Sequence, residues 1–496
     1  MESGTSSKRP NILLITVDQM RFDCLSILGH PVVETPNLDE LARTGVRFDH
    51  AYSATPTCVP ARAAIFTGMK QTSHGRVGYQ ERVPWNYPNT LPGELAKSGY
   101  HTQCVGKMHV YPARSLLGFH NVVLHDGYLH YNRDKQNTPV QEHFDEVDDY
   151  LPWLRGQVPG ADLLDLGLDC NASTVARPWA LPEHLHPTNW TVSQSIDFLR
   201  RRDPGKPFFL WMSFVRPHSP LDPPQAYLDM YKDLDIPDPV IGEWAMKEDP
   251  EGNGFNPVTS KGIVPKRRLR TAMAAYYALI THIDHQIGRF LQALSEYGER
   301  NNTIIMFTSD HGELLGDHHL FRKSLPYEGS AHIPFIVNDA GGHLDLASGS
   351  AVSEIIELRD IMPSLLNAAS AEIPGSVDGE SIWDLARGDK EPREKSWREY
   401  LHGEHTQGIM STQWITDGRE KYIWYSQTGE EQFFNLTQDP GELHNLIHDP
   451  SLQEKIQYWR SILIHELQGR EEGYVQGGCL VVGREPVSVL SHIKQA

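Results

Sequence analysis

Three short apolar runs set the strongest limit on how this chain can fold. Asn11 to Val17, Pro207 to Phe214 and Thr303 to Thr308 are nearly continuous in apolar character, and each breaks off at polar residues. A run apolar on successive positions suits a strand buried on both faces, as in the parallel sheet of an α/β domain. Amphipathic helical stretches lie between the runs, at Leu38 to Arg43, Thr191 to Arg202 and Lys266 to Ser295. In open sheets of this class ligands gather at the carboxyl ends of the strands. Those ends carry Asp18-Gln19, Arg216-Pro217-His218-Ser219-Pro220 and Ser309-Asp310-His311-Gly312. Each also has an ordinary structural explanation, as a helix cap, a turn or a packed histidine.

The remaining chain fills in around this frame. Leu91 to Lys97 is a short helix stopped at Gly99, and Tyr100 to Val105 and Pro334 to Val337 are further strands. A helix over Ser353 to Ala369 closes the large unit. Periodicity fades from Tyr111 to Trp190, which reads as long loops rich in His, Tyr, Trp and Pro. At 496 residues the chain is too long for one small core. The expected division is a disordered polar tail over 1–9, a catalytic domain over 10–385 and a smaller α+β unit over 386–496. That last unit holds strands at Lys421 to Trp424 and Gln432 to Leu436 and a helix at Ser451 to Leu467.

Charge and composition exclude several classes. A formal net charge of −19 disfavours nucleic acid and anionic membrane surfaces as partners. No run approaches the roughly 18 apolar residues of a membrane span. With no basic-then-apolar leader ahead of Asn11, the sequence as given reads as cytoplasmic, or periplasmic if an export segment was trimmed. Five scattered cysteines make a poor disulfide framework, and the four N-glycosylation sequons then read as chance matches.

One cysteine stands apart. In Thr57-Cys58-Val59-Pro60-Ala61-Arg62, Pro60 suits a first helical turn, so Cys58 falls at a helix N-terminus, where free N–H groups favour an anion. Arg62, four residues on, is expected to return over Cys58 with a fixed cation. A buried structural cysteine fits the same position. The strand-end carboxylates Asp18 and Asp310, each followed by a potential ligand, suit a hard divalent cation, while His311 and His318-His319 admit zinc as the competing metal. Lys107 and His109 share a face only if the chain is extended there.

Taken in order, Asp18-Gln19, Cys58-x-Pro60-x-Arg62, Gly106-Lys107-x-His109, Pro217-His218-x-Pro220, Thr308-Ser309-Asp310-His311-Gly312 and Lys323 resemble the type I, formylglycine-dependent sulfatases of the alkaline phosphatase superfamily. The tail segment Phe434-Asn435-Leu436-Thr437-x-Asp439-Pro440-Gly441-Glu442 is also similar to that family's C-terminal subdomain. The resemblance implies a three-layer sandwich with a central mixed sheet and a smaller C-terminal α+β subdomain. It implies that Cys58 is oxidised to formylglycine by a formylglycine-generating or anaerobic maturation enzyme. It assigns the metal to Asp18, Gln19, Cys58, Asp310 and His311, with calcium first and magnesium or manganese as alternatives. Gln19 and His311 depart from the commonest pattern, which has aspartate and asparagine, and a Gln/His pair resembles phosphonate monoester hydrolases and choline sulfatases.

The activity implied is hydrolysis of a sulfate monoester, on a sugar or a small organic or aryl group, by attack of a formylglycine hydrate. Catalysis would involve Cys58, Arg62, Lys107, His109, His218 and Lys323, with Arg62, Lys107, His218 and Lys323 also holding substrate. In this scheme His218, with Lys323, protonates the leaving alcohol and His109 accepts a proton in product release. A phosphonate monoester hydrolase or phosphodiesterase on the same scaffold is the alternative, and a catalytically dead oxyanion-binding protein is a third. A homo-oligomer is compatible with the sequence.

Overall fold

The computed structural model describes residues 9–127, 146–161, 167–388 and 396–494. Its centre is an eight-stranded mixed sheet. The strands are β1 (Asn11–Asp18), β2 (Val46–Phe48), β3 (His101–Gly106), β4 (Asn121–Leu124), β5 (Phe208–Pro217), β6 (Thr303–Ser309), β7 (Phe335–Asp339) and β8 (Ser350–Val352), in the order β4-β3-β5-β1-β6-β7-β2-β8. β1 pairs in parallel with β5 and β6, whereas β7 runs antiparallel to both β6 and β2. Alternation along β1 explains the layers. Ile12 and Leu14 enter one apolar cluster with Ile65, Phe66 and Met362, while Leu13, Ile15 and Val17 enter another with Leu279, Ile283 and Phe290. Both faces are therefore covered, giving the three-layer α/β sandwich.

Helix boundaries follow local chemistry. α1 (Pro36–Arg43) opens on a proline. α2 (Cys58–Thr67) follows Thr57 and ends at Gly68 with φ +65°. The 31-residue α6 (Lys266–Glu296, named after α3 Leu91–Lys97, α4 Tyr150–Gln157 and α5 Pro187–Arg201) lays a continuous apolar stripe on the sheet.

The structure differs from the sequence expectation in three places. The stretch expected as loops over 111–190 contains the edge strand β4 and α4, and α5 begins at Pro187 rather than Thr191. α4 carries an internal Pro152 and Gly156, which hide its helical pattern; residues 128–145 and 162–166 lie outside the described set. The helix expected over 353–369 starts only at Ile361. Ile356–Glu357 instead pairs with Ala51–Tyr52, and a Glu357/Asp360 capping box marks the turn that follows.

The C-terminal sheet has four antiparallel strands, β9 (Leu401–Gln407), β10 (Met410–Thr416), β11 (Glu420–Tyr425) and β12 (Glu431–Asn435). β9 and β10 escape pattern reading because they bury polar residues that satisfy one another: His402 and Gln413 meet at 3.0 Å, and Gln413 donates to Glu404 at 3.1 Å. One face of this sheet packs on the helix Gln453–Glu466, the other on Tyr52, Leu314 and Tyr327 of the large unit. All five cysteines are free, and no described helix is long and apolar enough to cross a membrane.

Candidate active site

The parallel strands deliver their carboxyl ends to one rim of the sheet. β1 ends at Asp18, and Asp310 directly follows β6, so register alone brings two buried carboxylates together. The tightly packed strand pair β3/β5 aims Lys107. A Cβ on Gly106 would lie 1.9 Å from the Ser213 carbonyl, and its φ of +100° lets the chain turn Lys107 into the site. On β5, Arg216 is buried and bound to Asp222 by two bonds of 2.7 Å, which fixes the start of the His218 turn.

Cys58 occupies the first turn of α2, buried, at the floor of a cavity of about 490 Å³. Its sulfur lies 3.2 Å from His311 Nε2 and 3.5 Å from both Asp18 Oδ1 and Lys107 Nζ. One ligating atom each from Asp18, Cys58, Asp310 and His311 falls within 4.8 Å of the others. Burial and the Asp18 carboxylate push the thiol up, but Lys107, Lys323 and His311 together hold it well below its ordinary value. Burial and Asp18 raise Asp310; Asp18 itself is opposed by burial but held well below the usual range by Lys107 and the nearby histidines and Lys323. Two carboxylates and an imidazole, enclosed and mutually close, form an oxygen-rich donor set that fits a hard divalent cation. A thiol is the wrong partner for such an ion, and an oxygen at residue 58 is the right one.

Arg62 feels the Cys58 charge, as its spacing suggested, but makes its hydrogen bonds elsewhere. Its Nε donates to Asp310 Oδ2 at 3.0 Å and its Nη1 to the Lys107 carbonyl and Ser213 Oγ, because the i+4 side chain continues past the first turn into the sheet end. Its Nη2 is buried without a partner among the described residues. Lys107 contacts Asp18 Oδ2 directly. His109 is not extended: it has φ +57°, yet it lines the same cavity as Lys107. Burial opposes a charge on His109, but Glu81 at 2.9 Å holds its pKa up at about 9.

His218 Nδ1 donates to the Ser219 carbonyl at 2.8 Å, so Nε2 presents a lone pair to Lys323 Nζ at 2.7 Å. Burial and Lys323 together depress the imidazole well below its ordinary value. Lys323 also donates to Gln19 Oε1 at 2.6 Å, so the amide oxygen expected to bind the metal is here engaged by the lysine. The zinc alternative at His318-His319 fails on position. His318 accepts from the Gly242 N–H and packs on Trp244, and it does not join the Asp18 cluster.

Residues outside the expected set complete the site. Glu313 accepts from Gln19 Nε2 and clips the Leu315 and Arg322 amides. Tyr79 donates to Glu81, and Asp126 accepts from the Met108 and His109 amides at 2.6 and 3.0 Å. Glu313 directly follows the Asp310-His311-Gly312 motif, whereas Tyr79, Glu81 and Asp126 belong to loops with no pattern of their own.

A family model described as Sulfatase matches residues 10–371. The chain belongs to the sulfatase family. A second model, N-sulphoglucosamine sulphohydrolase, C-terminal, matches 316–468 and so begins inside the large unit. The sulfatase is 57% identical to an arylsulfatase of Clostridium perfringens over 98% of this chain and 100% of that one. It is 28% identical to an ulvan-active sulfatase of Formosa agariphila, covering 91% of this chain and 80% of the relative. Among solved structures, a phosphonate monoester hydrolase of Agrobacterium radiobacter superposes with a TM-score of 0.74 at 26% identity, over 92% of this chain and 95% of that one. Sulfate-ester hydrolysis is the family's reaction, and membership implies a metal ion and a cysteine-derived formylglycine.

Proposed function

We propose that this sulfatase hydrolyses sulfate monoesters of carbohydrates, with Cys58 matured to formylglycine by a dedicated maturation enzyme and calcium held by Asp18, Asp310, His311 and residue 58. The observation that carries the reading is the convergence of Asp18, Cys58, Asp310 and His311 within 4.8 Å, with Asp18 and Cys58 opening onto a cavity that Lys107 and Lys323 also line. A sugar rather than an aryl group is favoured by the N-sulphoglucosamine sulphohydrolase match and by polar wall residues such as Asn171, Ser260, Ser324 and Gln407.

When bound, the cation and the matured side chain supply a Lewis acid and an oxygen nucleophile to the sulfuryl group. Arg62, with Nη2 uncommitted, and Lys107 provide fixed positive charge for its oxygens, prepaid in a buried site. In the His218–Lys323 pair the imidazole is neutral, so the transferable proton resides on Lys323 and passes to the leaving alcohol oxygen. His109, its Nε2 committed to Glu81 and its ring also meeting the Cys58 thiol, exchanges a proton at residue 58 during product release.

The test is protein produced with and without a maturation enzyme and assayed on sulfated sugars and nitrophenyl sulfate. Active protein carries a hydrazine-reactive aldehyde in place of the thiol at residue 58; turnover by unmodified Cys58 removes the reading. Metal analysis of purified protein decides between calcium and magnesium or manganese. A phosphonate-ester activity is the second reading, favoured by the Gln19/His311 pair and the Agrobacterium neighbour. It requires kcat/KM on an aryl phosphonate to exceed that on the matching aryl sulfate.

A further inference from the structure

Five arginine and lysine residues line the active-site cavity: Arg82, Lys107, Arg216, Arg322 and Lys323. Lys107 is engaged by Asp18, Arg216 by Asp222, and Lys323 by Gln19 and His218. Arg322 differs. Its guanidinium makes no hydrogen bond or ion pair with the described residues, although the residue is only partly exposed and sits on the cavity wall.

The backbone around this arginine is held firmly. Arg322 has φ +65°, a conformation in which glycine or asparagine is at ease and a long side chain is uncommon. Its N–H is donated to the Glu313 carboxylate, and its carbonyl accepts from the Leu314 amide at 2.7 Å. Phe321 before it is tied to the Ser260 carbonyl at 2.9 Å, and Ser324 after it to the Pro56 carbonyl at 3.1 Å. A strained position clamped on both sides, carrying an uncommitted charge into a ligand cavity, is the kind of feature found at ligand clamps.

We infer that Arg322 binds a second anionic group of the substrate, a carboxylate or a further sulfate carried on the sulfated sugar or on the sugar next to it. The inference rests on the carbohydrate sulfatase reading above and adds the class of sugar. The planar guanidinium fork matches both carboxylate and sulfate oxygens in a two-bond geometry. Lys323, which meets the reacting end, is the adjacent residue, and consecutive Cα atoms are about 3.8 Å apart. The two anions therefore lie within the span of one or two sugar rings. A chain of net charge −19 repels a multiply charged ligand at distance, so a local cation beyond those at the scissile sulfate is what such a ligand requires.

The experiment compares three probes: a 6-sulfated hexosamine, the same sugar bearing a second sulfate, and a disaccharide joining the 6-sulfated hexosamine to a uronic acid. Binding is measured by calorimetry on unmatured protein, which retains the thiol and turns nothing over, and kcat/KM on matured enzyme. Wild type is expected to prefer at least one doubly anionic probe over the single sulfate by about tenfold. Arg322→Ala and Arg322→Gly should abolish that preference, and Arg322→Lys should retain only part of it. The glycine variant suits the left-handed backbone, so its loss of preference cannot come from strain at residue 322. Preference for the disulfated sugar identifies the second anion as sulfate, and preference for the disaccharide identifies it as carboxylate; either supports the subsite. No preference in wild type, or the same preference in wild type and both neutral variants, overturns the subsite alone. Matured enzyme that hydrolyses none of the sulfated sugars overturns the reading beneath it.

Discussion

Asp310 does two jobs at the residue scale, holding Arg62 at 3.0 Å and completing the four-residue donor cluster. Asp310→Asn keeps an acceptor for Arg62 but removes a charge, so it should lose tight divalent-metal binding and at least about 10³-fold in kcat/KM. Circular dichroism should be unchanged, because the apolar strands do not depend on that carboxylate. Metal analysis of the variant checks this; a variant that keeps stoichiometric metal refutes the assignment. The proposed role of Lys323 as proton donor, facing a His218 imidazole held well below its ordinary value, makes a different prediction. A nitrophenolate leaves with little help and a sugar alkoxide needs a proton. Lys323→Ala should therefore cost about 10²-fold more on sugar sulfates than on nitrophenyl sulfate. Equal losses on the two substrates would restrict Lys323 to charge stabilisation.

At the scale of elements, the site depends on how closely β3 can approach β5. Gly106 sits at that contact, with φ +100° and a would-be Cβ 1.9 Å from the Ser213 carbonyl. Gly106→Ala forces the strand ends apart and should destabilise the protein by about 3 kcal/mol or more. It should also lower activity by about 10²-fold through misplacement of Lys107. Thermal unfolding and kcat/KM report the two effects separately, and a near-wild-type melting temperature would mean that the strands relax without cost. The nucleophile helix α2 has a comparable dependence on a distant element. Thr57, just before it, meets His405 of β9 at 3.1 Å, so the C-terminal sheet props the helix start from outside the large unit.

Over the whole molecule, the C-terminal sheet is joined to the large unit by buried polar contacts as well as apolar ones. Lys421 donates to Glu328 at 2.7 Å, to Glu442 at 2.8 Å and to the Pro326 carbonyl at 2.7 Å. Burial keeps several histidines neutral: His74 and His405 are depressed to about 3 and His318 to about 4. For each, the unfolded chain binds a proton more readily than the folded one. The stability they contribute is complete above about pH 6.5 and declines as pH falls toward those folded values. The slope is about 1.4 kcal/mol per pH unit for each such histidine. The melting temperature should therefore drop between pH 7 and pH 5, and His405→Asn should make the drop shallower. An unchanged pH slope in that variant would mean that His405 is accessible to protons in the folded state.

Local pattern alone determined where β1, β5 and β6 run, that α6 is long and amphipathic, that Cys58 opens a helix, and that Asp18, His218 and Asp310 end strands. Each rests on apolar period, caps or prolines within a few residues, which a chain carries wherever it folds. Motif order added the family, because six weak signals in sequence constrain one another. Tertiary structure alone decided what pairs with what. The polar strands β9 and β10 are stable only because His402, Glu404 and Gln413 find each other, and β4 is a strand only beside β3. Arg62 has Asp310 as its partner 248 positions away, and His109 has Glu81 from a patternless loop. Hydrogen-bond partners brought together by crossovers leave no periodic trace, since nothing in the local backbone requires that particular residue.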